Sequence, residues 1–164
     1  MLRIVGIDPG RTGALALICG GVVLDCIDMP TCEDNSQVQV DGPKLFAWIE
    51  KHLPLDLAVI ENVQPMRGIG AGSQGMPPGN AFRFGLIAGE LRMAFKAYGV
   101  PIMLVTPSSW KRSTGLLKAD KAASRSAAMD RLPSGAPWLT RVKDHNRSEA
   151  MLLGLYGQNQ RGML

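Results

Sequence analysis

Three acidic residues occupy places in the sequence from which a fold could bring their carboxylates together: Asp8, Glu61 and Glu149. Asp8 and Glu61 each end a short apolar run, and Glu149 lies in the first turns of a helical segment near the end of the chain. Clustered carboxylates repel one another unless a cation lies between them. Magnesium favours a few carboxylates together with phosphate and water, and two such ions stabilise the attacking and leaving oxygens of a phosphoryl displacement. The set therefore predicts metal-dependent chemistry at a phosphodiester.

Asp144 and His145 are further candidates for the same cluster. His145 lies four residues before Glu149, on the same face of the predicted helix, and Asp144 immediately precedes it. Structural explanations remain open for several of these residues. Asp144 suits a helix cap, Glu149 is favoured in a first turn by the helix dipole, and Asp8 could bond to its own turn. His145 is either a metal ligand or a surface residue.

An alternation of apolar strands and amphipathic helices must position these side chains. The apolar runs 4–7, 14–18 and 22–24 predict a β-meander whose first strand is central. Later segments predict, in order, a helix over 43–54, a strand over 56–61, a helix over 80–98, a strand over 100–105, a helix starting at Thr106, and helices over 120–132 and 144–156. The pattern predicts a single α/β domain over residues 1–164, with four to five strands and an antiparallel start.

Two segments read as loops. Residues 28–41 are polar and contain several turn formers. Residues 64–79 are rich in glycine and proline, which predicts a mobile, ligand-binding loop beside the strand ends. This second loop lacks the Lys-Ser/Thr ending of a phosphate-cradling nucleotide loop.

The charge distribution favours a polyanionic partner such as nucleic acid. The formal net charge is +4. Between Trp110 and Arg147 the basic residues Lys111, Arg112, Lys118, Lys121, Arg125, Arg131, Arg141, Lys143 and Arg147 outnumber Asp120, Asp130 and Asp144. The alternative is an ordinary solvated surface.

Composition and cysteine usage predict a cytoplasmic globular protein. Hydrophobic residues make up 46% and charged residues 20% of the chain, and no apolar run approaches the roughly 20 residues of a membrane span. The first residues resemble a strand rather than a secretory leader. Cys19, Cys26 and Cys32 lack a Cys-x-x-Cys pair and read as reduced thiols.

Several motifs occur in an order that resembles one known family. They are Gly6-Ile7-Asp8-Pro9-Gly10-x-x-Gly13, Ile60-Glu61, a glycine-rich loop entering a long helix, Thr106-Pro107-x-x-Trp110-Lys111, and the closing stretch from Lys143 to Leu153. This ordered set resembles the small phage and bacterial RuvC-like Holliday-junction resolvases of the ribonuclease H superfamily. The resemblance covers nearly the whole chain.

The resemblance implies a ribonuclease H-like fold, with a mixed five-stranded sheet flanked by helices. It implies a homodimeric endonuclease that cuts four-way DNA junctions with Mg²⁺, or with Mn²⁺ as a substitute. Asp8, Glu61 and Glu149 would be metal ligands. Many relatives carry an acid, and some a histidine, where His145 and Asn146 stand here, so Asp144 and His145 are both candidates for the fourth ligand.

The same resemblance implies a set of DNA contacts. Lys111, Lys118 and Lys121 would bind phosphates, and Lys118 would approach the scissile group. The predicted DNA-binding residues are Lys111, Lys118, Lys121, Arg125, Arg67, Phe82 and Phe84, with Phe82, Phe84 or Met66 as the wedge at the junction centre. Gly85, Ala88 and Gly89 mark a helix face that suits either the core or a dimer contact.

Three other functions are compatible with parts of the sequence. Sugar kinases and actin-like ATPases share a Gly-x-Asp-x-Gly opening, but they need two lobes and the chain has 164 residues. A module of this fold could bind branched nucleic acid without cutting it, although clustered acids facing a phosphate backbone argue against this. A nuclease acting on RNA or on other branched DNA would need the same metal chemistry.

Overall fold

The computed structural model describes residues 1–34, 37–62, 77–119 and 121–162. Its strands are β1 (Arg3–Asp8), β2 (Ala14–Cys19), β3 (Val22–Asp28), β4 (Thr31–Asp34), β5 (Gln37–Val40), β6 (Leu57–Glu61) and β7 (Ile102–Val105). Five of them form one sheet in the order β3-β2-β1-β6-β7. Antiparallel pairing joins β3, β2 and β1, and parallel pairing joins β1, β6 and β7. The predicted mixed sheet, with a meander at its start and the first strand at its centre, is confirmed.

Helices cover both faces of this sheet. They are α1 (Gly42–His52), α2 (Pro78–Ala97), α3 (Pro107–Ser113), α4 (Lys121–Arg131) and α5 (His145–Gly162), with a 3₁₀ helix at Pro133–Trp138. Along β1, Val5 and Ile7 face the core formed with α1 and α2, whereas Ile4 faces the core formed with α4 and α5. Because β1 is buried on both faces, its sequence is a nearly continuous apolar run.

Gly6 lets α5 lie directly against β1. A Cβ at this position would overlap the Ala150 carbonyl oxygen and the Gly154 backbone nitrogen. Backbone therefore meets backbone here, and any side chain would push the helix away from the strand. This contact determines how close Glu149, the residue before Ala150, lies to the end of β1.

The prediction of a loop over residues 28–41 is wrong for most of that segment. The short strands β4 and β5 pair antiparallel there, with Thr31 opposite Val40. The Val40 N–H donates a hydrogen bond to Glu90 Oε2 at 3.1 Å, which ties the hairpin to α2. The strands are only four residues long; β4 has no apolar alternation, and the alternation of β5 is limited to Val38 and Val40.

The last helix is longer than predicted, because it continues past Tyr156 to Gly162. The predicted ligand-binding loop over 64–79 lies almost wholly outside the described residues. None of the helices in the described part of the chain is both long and apolar enough to cross a membrane.

Candidate active site

The carboxyl ends of two parallel strands deliver the first two acids to the same edge of the sheet. In the β1–β6 pair Ile7 lies opposite Ile60, so Asp8 and Glu61 are the next residues on neighbouring strands. Side chains leave the core at such strand ends and meet solvent there, which is where sites collect in α/β folds. The third acid, Glu149, comes from α5, which crosses the same strand.

Electrostatic coupling shows that the three carboxylates are neighbours. Burial raises the pKa of Asp8 well above its ordinary value, and the negative charges of Glu61 and Glu149 raise it further, against the opposing charge of Lys111. Burial also raises the pKa of Glu61, and Glu149 adds to that effect. The site therefore holds more negative charge than its surroundings stabilise.

Trp110 holds Glu61 in place. Thr106 caps α3, its hydroxyl accepting a hydrogen bond from the Ser109 N–H at 3.3 Å. The helix then directs the fully buried Trp110 indole towards the site, where Nε1–H donates to Glu61 Oε1 at 2.8 Å. This bond stabilises the ionised form of Glu61 and partly offsets the effect of burial on its pKa.

Glu149 is held by two groups on other elements. The Ser124 hydroxyl, from α4, donates to Glu149 Oε1 at 3.2 Å, and Lys111 Nζ lies 3.4 Å from the same oxygen. The Lys111 ammonium also lies 5.1 Å from the centroid of the Trp110 ring. Lys111 thus supplies positive charge among the carboxylates.

Asn146 joins the site to the turn that follows β1. Its side-chain Nδ2 donates a hydrogen bond to the Thr12 carbonyl oxygen. It lies three residues before Glu149, on the same side of α5. Asn146, Trp110 and Ser124 are not among the site residues predicted from the sequence. The i, i+3 spacing to Glu149 is a local signal for Asn146, whereas Ser124 has none.

Comparison with known proteins identifies the fold. No protein-family model and no curated protein matches the sequence. Among solved structures, Thermus thermophilus RuvC in complex with a Holliday junction substrate matches with a TM-score of 0.68 at 14% identity, over 99% of this chain and 96% of that one. The chain has the RuvC fold. A second Thermus thermophilus RuvC structure matches with a TM-score of 0.64 at 16% identity, over 99% of this chain and 96% of that one.

A third solved structure extends the likeness beyond bacteria. The yeast mitochondrial Holliday junction resolvase Ydc2 matches with a TM-score of 0.50 at 13% identity, over 99% of this chain and 82% of that one. At identities this low the likeness concerns the fold. The ribonuclease H-like architecture implied by the sequence motifs is therefore confirmed.

Within this RuvC fold, Asp144 is engaged elsewhere, contrary to its predicted role as a ligand. Its side chain is 1% exposed and accepts hydrogen bonds from the Arg141 backbone N–H and Nε, both at 2.7 Å. Burial alone would raise the pKa of Asp144, but the bonds from Arg141 hold it below its ordinary value. Asp144 also precedes α5, and its carbonyl accepts the Ser148 N–H at 3.0 Å. Its placement is that of a helix cap, and His145 remains the candidate one turn before Glu149.

Several basic residues between Trp110 and Arg147 bond to other parts of the chain. Arg125, predicted to bind DNA, donates from Nε and Nη2 to the Leu139 carbonyl at 2.9 and 2.6 Å. This anchors α4 to the segment before α5 and argues against a DNA contact. Arg131 donates to the Thr114 carbonyl, and Arg141 and Arg147 both pair with Asp28.

Other predicted DNA contacts have different placements. Lys118 is exposed in the turn after α3 and has a φ of +68°, a left-handed conformation uncommon for lysine. Phe82 is 66% exposed on α2, whereas Phe84 is partly buried. Arg67, Met66 and the side chain of Lys121 lie outside the described residues.

The type of donor atom at the site suits a hard divalent cation. Asp8, Glu61 and Glu149 offer only oxygen, the ligand type that Mg²⁺ and Mn²⁺ prefer, and the raised pKa values record an excess of negative charge. Over residues 1–34, 37–62, 77–119 and 121–162, no three His, Cys, Asp or Glu side chains are arranged closely enough to enclose a metal ion. The carboxylates are therefore assembled as neighbours but not as a closed cage.

Replacing Trp110 by Phe should raise the pKa of Glu61 further, because the hydrogen bond that favours its ionised form is lost. Glu61 would then need a higher pH to be charged, and Mg²⁺ affinity should fall about 10- to 100-fold, as for other residues that orient metal ligands. The Glu61 pKa is measured from its carboxyl ¹³C shift and the affinity by calorimetry.

Trp48→Phe is the matched control for this prediction. Trp48 also donates from Nε1 to a carboxylate, Asp25 Oδ2, at 3.2 Å, but it lies on α1, away from the strand ends. Trp48→Phe should leave both the Glu61 pKa and the Mg²⁺ affinity unchanged. An unaltered Glu61 pKa in Trp110→Phe would contradict the positioning role.

Proposed function

We propose that this protein is a structure-selective endonuclease that resolves four-way DNA junctions by divalent-metal-dependent phosphodiester hydrolysis. One observation carries the proposal: the RuvC fold brings three carboxylates, two with raised pKa values, to one edge of its sheet. Such a group is unfavourable for the free protein, which is expected where a cation and a phosphate are the natural partners.

Asp8, Glu61 and Glu149 would hold Mg²⁺, or Mn²⁺ in its place, with His145 as a candidate further ligand. The metal would supply the positive charge that stabilises the attacking and leaving oxygens at the phosphorus. Trp110 holds the orientation of the buried Glu61 carboxylate, and Ser124 orients Glu149. Lys111 Nζ lies 3.4 Å from Glu149 Oε1, so its side chain would have to rotate for that oxygen to bind a cation.

The likeness to solved structures supports branched DNA as the substrate. One of the two RuvC structures contains a Holliday junction substrate, and the yeast protein is named a Holliday junction resolvase. Lys118, exposed in the turn after α3, is a candidate contact to the scissile phosphate, and a net charge of +4 favours a polyanion. Free thiols at Cys19, Cys26 and Cys32 fit a reducing cytoplasm, in a bacterial cell or a phage-infected host.

The direct test is incubation of a synthetic four-way junction with the protein and Mg²⁺, beside a linear duplex, a splayed fork and the same junction built from RNA. We expect paired nicks in the DNA junction and none with EDTA. Preferential cutting of the fork or of RNA would assign another branched substrate. ATP hydrolysis without DNA would point to the kinase-like alternative instead.

A non-cleaving junction-binding module is the second candidate, and Lys111 is the observation that favours it. Its ammonium group lies 3.4 Å from Glu149 Oε1 and offsets part of the negative charge of the carboxylates. If the wild-type protein binds junctions tightly and cuts none with Mg²⁺ or Mn²⁺, this candidate is correct.

We also propose that the protein is a homodimer that uses the exposed face of α2. Phe82 and Met93 are 66% and 65% exposed on this helix. Between them, Gly85 and Gly89 face solvent, and a Cβ on either would meet nothing within 4 Å in the same chain. Internal packing therefore does not require glycine at these positions, whereas close approach of a second helix does. A two-fold dimer would present two active sites to a symmetric junction.

Replacing both Gly85 and Gly89 by Ala should stabilise the monomer by about 0.5–1 kcal/mol per site, because Gly is unfavourable inside a helix. The same change should weaken the dimer, since two methyl groups would separate the helices. Sedimentation equilibrium over a concentration series measures the dimer, and thermal melting of dilute protein measures the monomer. A wild-type protein that is monomeric at micromolar concentration would contradict the dimer.

A further inference from the structure

A basic cleft lies next to the turn that follows Asp8 and includes none of the candidate metal ligands. It has a volume of about 370 Å³ and lies between the turn after β1 and the first turns of α2. Among the described residues its lining consists of Arg11, Asn80, Arg83 and Phe84, none of which is acidic. Within the described ranges neither arginine has an ion-pair or hydrogen-bond partner for its side chain. Both guanidinium groups are thus available to a ligand.

The turn that carries Arg11 is held on several sides. The Gly13 N–H donates to the Gly10 carbonyl at 3.0 Å, and the Met29 N–H donates to the Gly13 carbonyl at 2.8 Å. Asn146 of α5 donates to the Thr12 carbonyl in the same turn. Little backbone entropy remains to be lost when a ligand binds to Arg11.

The other wall is one face of α2. Asn80, Arg83 and Phe84 are spaced i, i+3 and i+4, so their side chains share that face. Phe84 is partly buried and adds an apolar surface to the lining of the cleft. Two arginines with an aromatic ring between helix and turn suit a phosphodiester chain that carries a base or sugar.

We propose that this cleft binds the backbone of the DNA strand next to the scissile phosphate. Arg11 and Arg83 each pair with a phosphate, and Phe84 contacts the intervening nucleotide. Arg11 is three residues from Asp8, which limits the distance between their Cα atoms to about 11 Å. A strand bound at Arg11 would thus lie within a few nucleotides of the carboxylates, and the cleft would set which phosphodiester bond reaches them. This inference rests on the proposed function for the identity of the strand.

The test measures DNA binding by the full chain in EDTA, so that no cutting occurs. Arg11→Ala and Arg83→Ala should each weaken binding about tenfold and lower the salt slope of log K by about 0.7–0.9, as expected for one lost phosphate contact. Phe84→Leu should weaken binding without changing that slope. Arg92→Ala is the matched control: it is an exposed arginine on the same helix, nine residues from Arg83. It should behave as the wild type.

The probes are a four-way junction and a short single-stranded DNA. Equal affinity and salt slope in wild type and in the Arg11→Ala/Arg83→Ala double variant would overturn the cleft, even if the wild type cuts junctions. An equal loss of DNA affinity in Arg92→Ala would also overturn the cleft, since it would show that affinity depends only on the net positive charge of the protein. Weaker single-strand binding by the double variant would support the cleft even if no junction is cut, in which case only the proposed function fails. Absence of any DNA binding would overturn both.

Discussion

Asp8→Asn should abolish metal-dependent cleavage and at the same time stabilise the metal-free protein. Cleavage should fall by at least about 10²–10³-fold, the loss seen when one preorganised charge-stabilising group is removed. Stability should rise because burial and the charges of Glu61 and Glu149 make the ionised Asp8 unfavourable. Junction affinity in EDTA should be unchanged, because the basic surface is untouched.

The pH dependence of this gain has a definite sign. The pKa of folded Asp8 lies above its ordinary value of 3.8, so the folded state holds its proton more tightly than the unfolded state. The cost of ionising Asp8 is absent below pH 3.8, grows as the pH rises through the raised pKa, and is complete above it. Asp8→Asn should therefore be more stable than the wild type at neutral pH, and the difference should vanish near pH 3.5.

Thermal unfolding in EDTA at both pH values measures the effect, which corresponds to about 2–4 °C per kcal/mol. Asp130→Asn, an exposed change on α4, is the control and should alter neither stability nor cleavage. With added Mg²⁺ the order should reverse, since only the wild type retains the full ligand set. A variant that melts below the wild type in EDTA would show that Asp8 is not under electrostatic strain.

Gly6→Ala should be among the most destabilising single-methyl changes in the chain. The added Cβ would overlap backbone atoms of Ala150 and Gly154, which cannot rotate away as side chains can. Either β1 or α5 must move, so the loss should reach the upper end of the range for overpacking, about 3 kcal/mol or more. The same movement would carry Glu149 away from Asp8 and lower Mg²⁺ affinity.

A graded series separates this effect from a general intolerance of alanine. Gly157→Ala, also on α5, would meet methyl groups of Val59 and Ile4, which can adjust, so its cost should be smaller. Gly79→Ala at the start of α2 meets nothing within 4 Å and should be neutral or stabilising by up to about 1 kcal/mol. Urea unfolding provides the free energies. Equal stability of Gly6→Ala and Gly79→Ala would contradict the close contact of β1 and α5.

The sequence alone was sufficient for the sheet and for the positions of two acids. Runs such as Ile4–Ile7 and Leu57–Ile60 are short, apolar and followed by a carboxylate, and strand ends are where such residues leave the core. Parallel pairing of neighbouring strands then brings Asp8 and Glu61 to one edge. These inferences succeed because periodicity and turn chemistry are local properties. The pairing of β4 with β5 was missed because neither four-residue strand contains a continuous apolar run.

The identity of each side chain's partner was decided by the tertiary structure. Trp110 meets Glu61 across 49 positions of sequence, and Arg125 is used by the Leu139 carbonyl rather than left for DNA. Asp144 accepts a hydrogen bond from Arg141, three residues away, because both residues lie in the turn that precedes α5. The charge of a side chain and its spacing in the sequence limit which partners it could bind. Which partner it meets depends on how helices and turns pack against the sheet, and that packing is set by distant apolar contacts and by glycines such as Gly6.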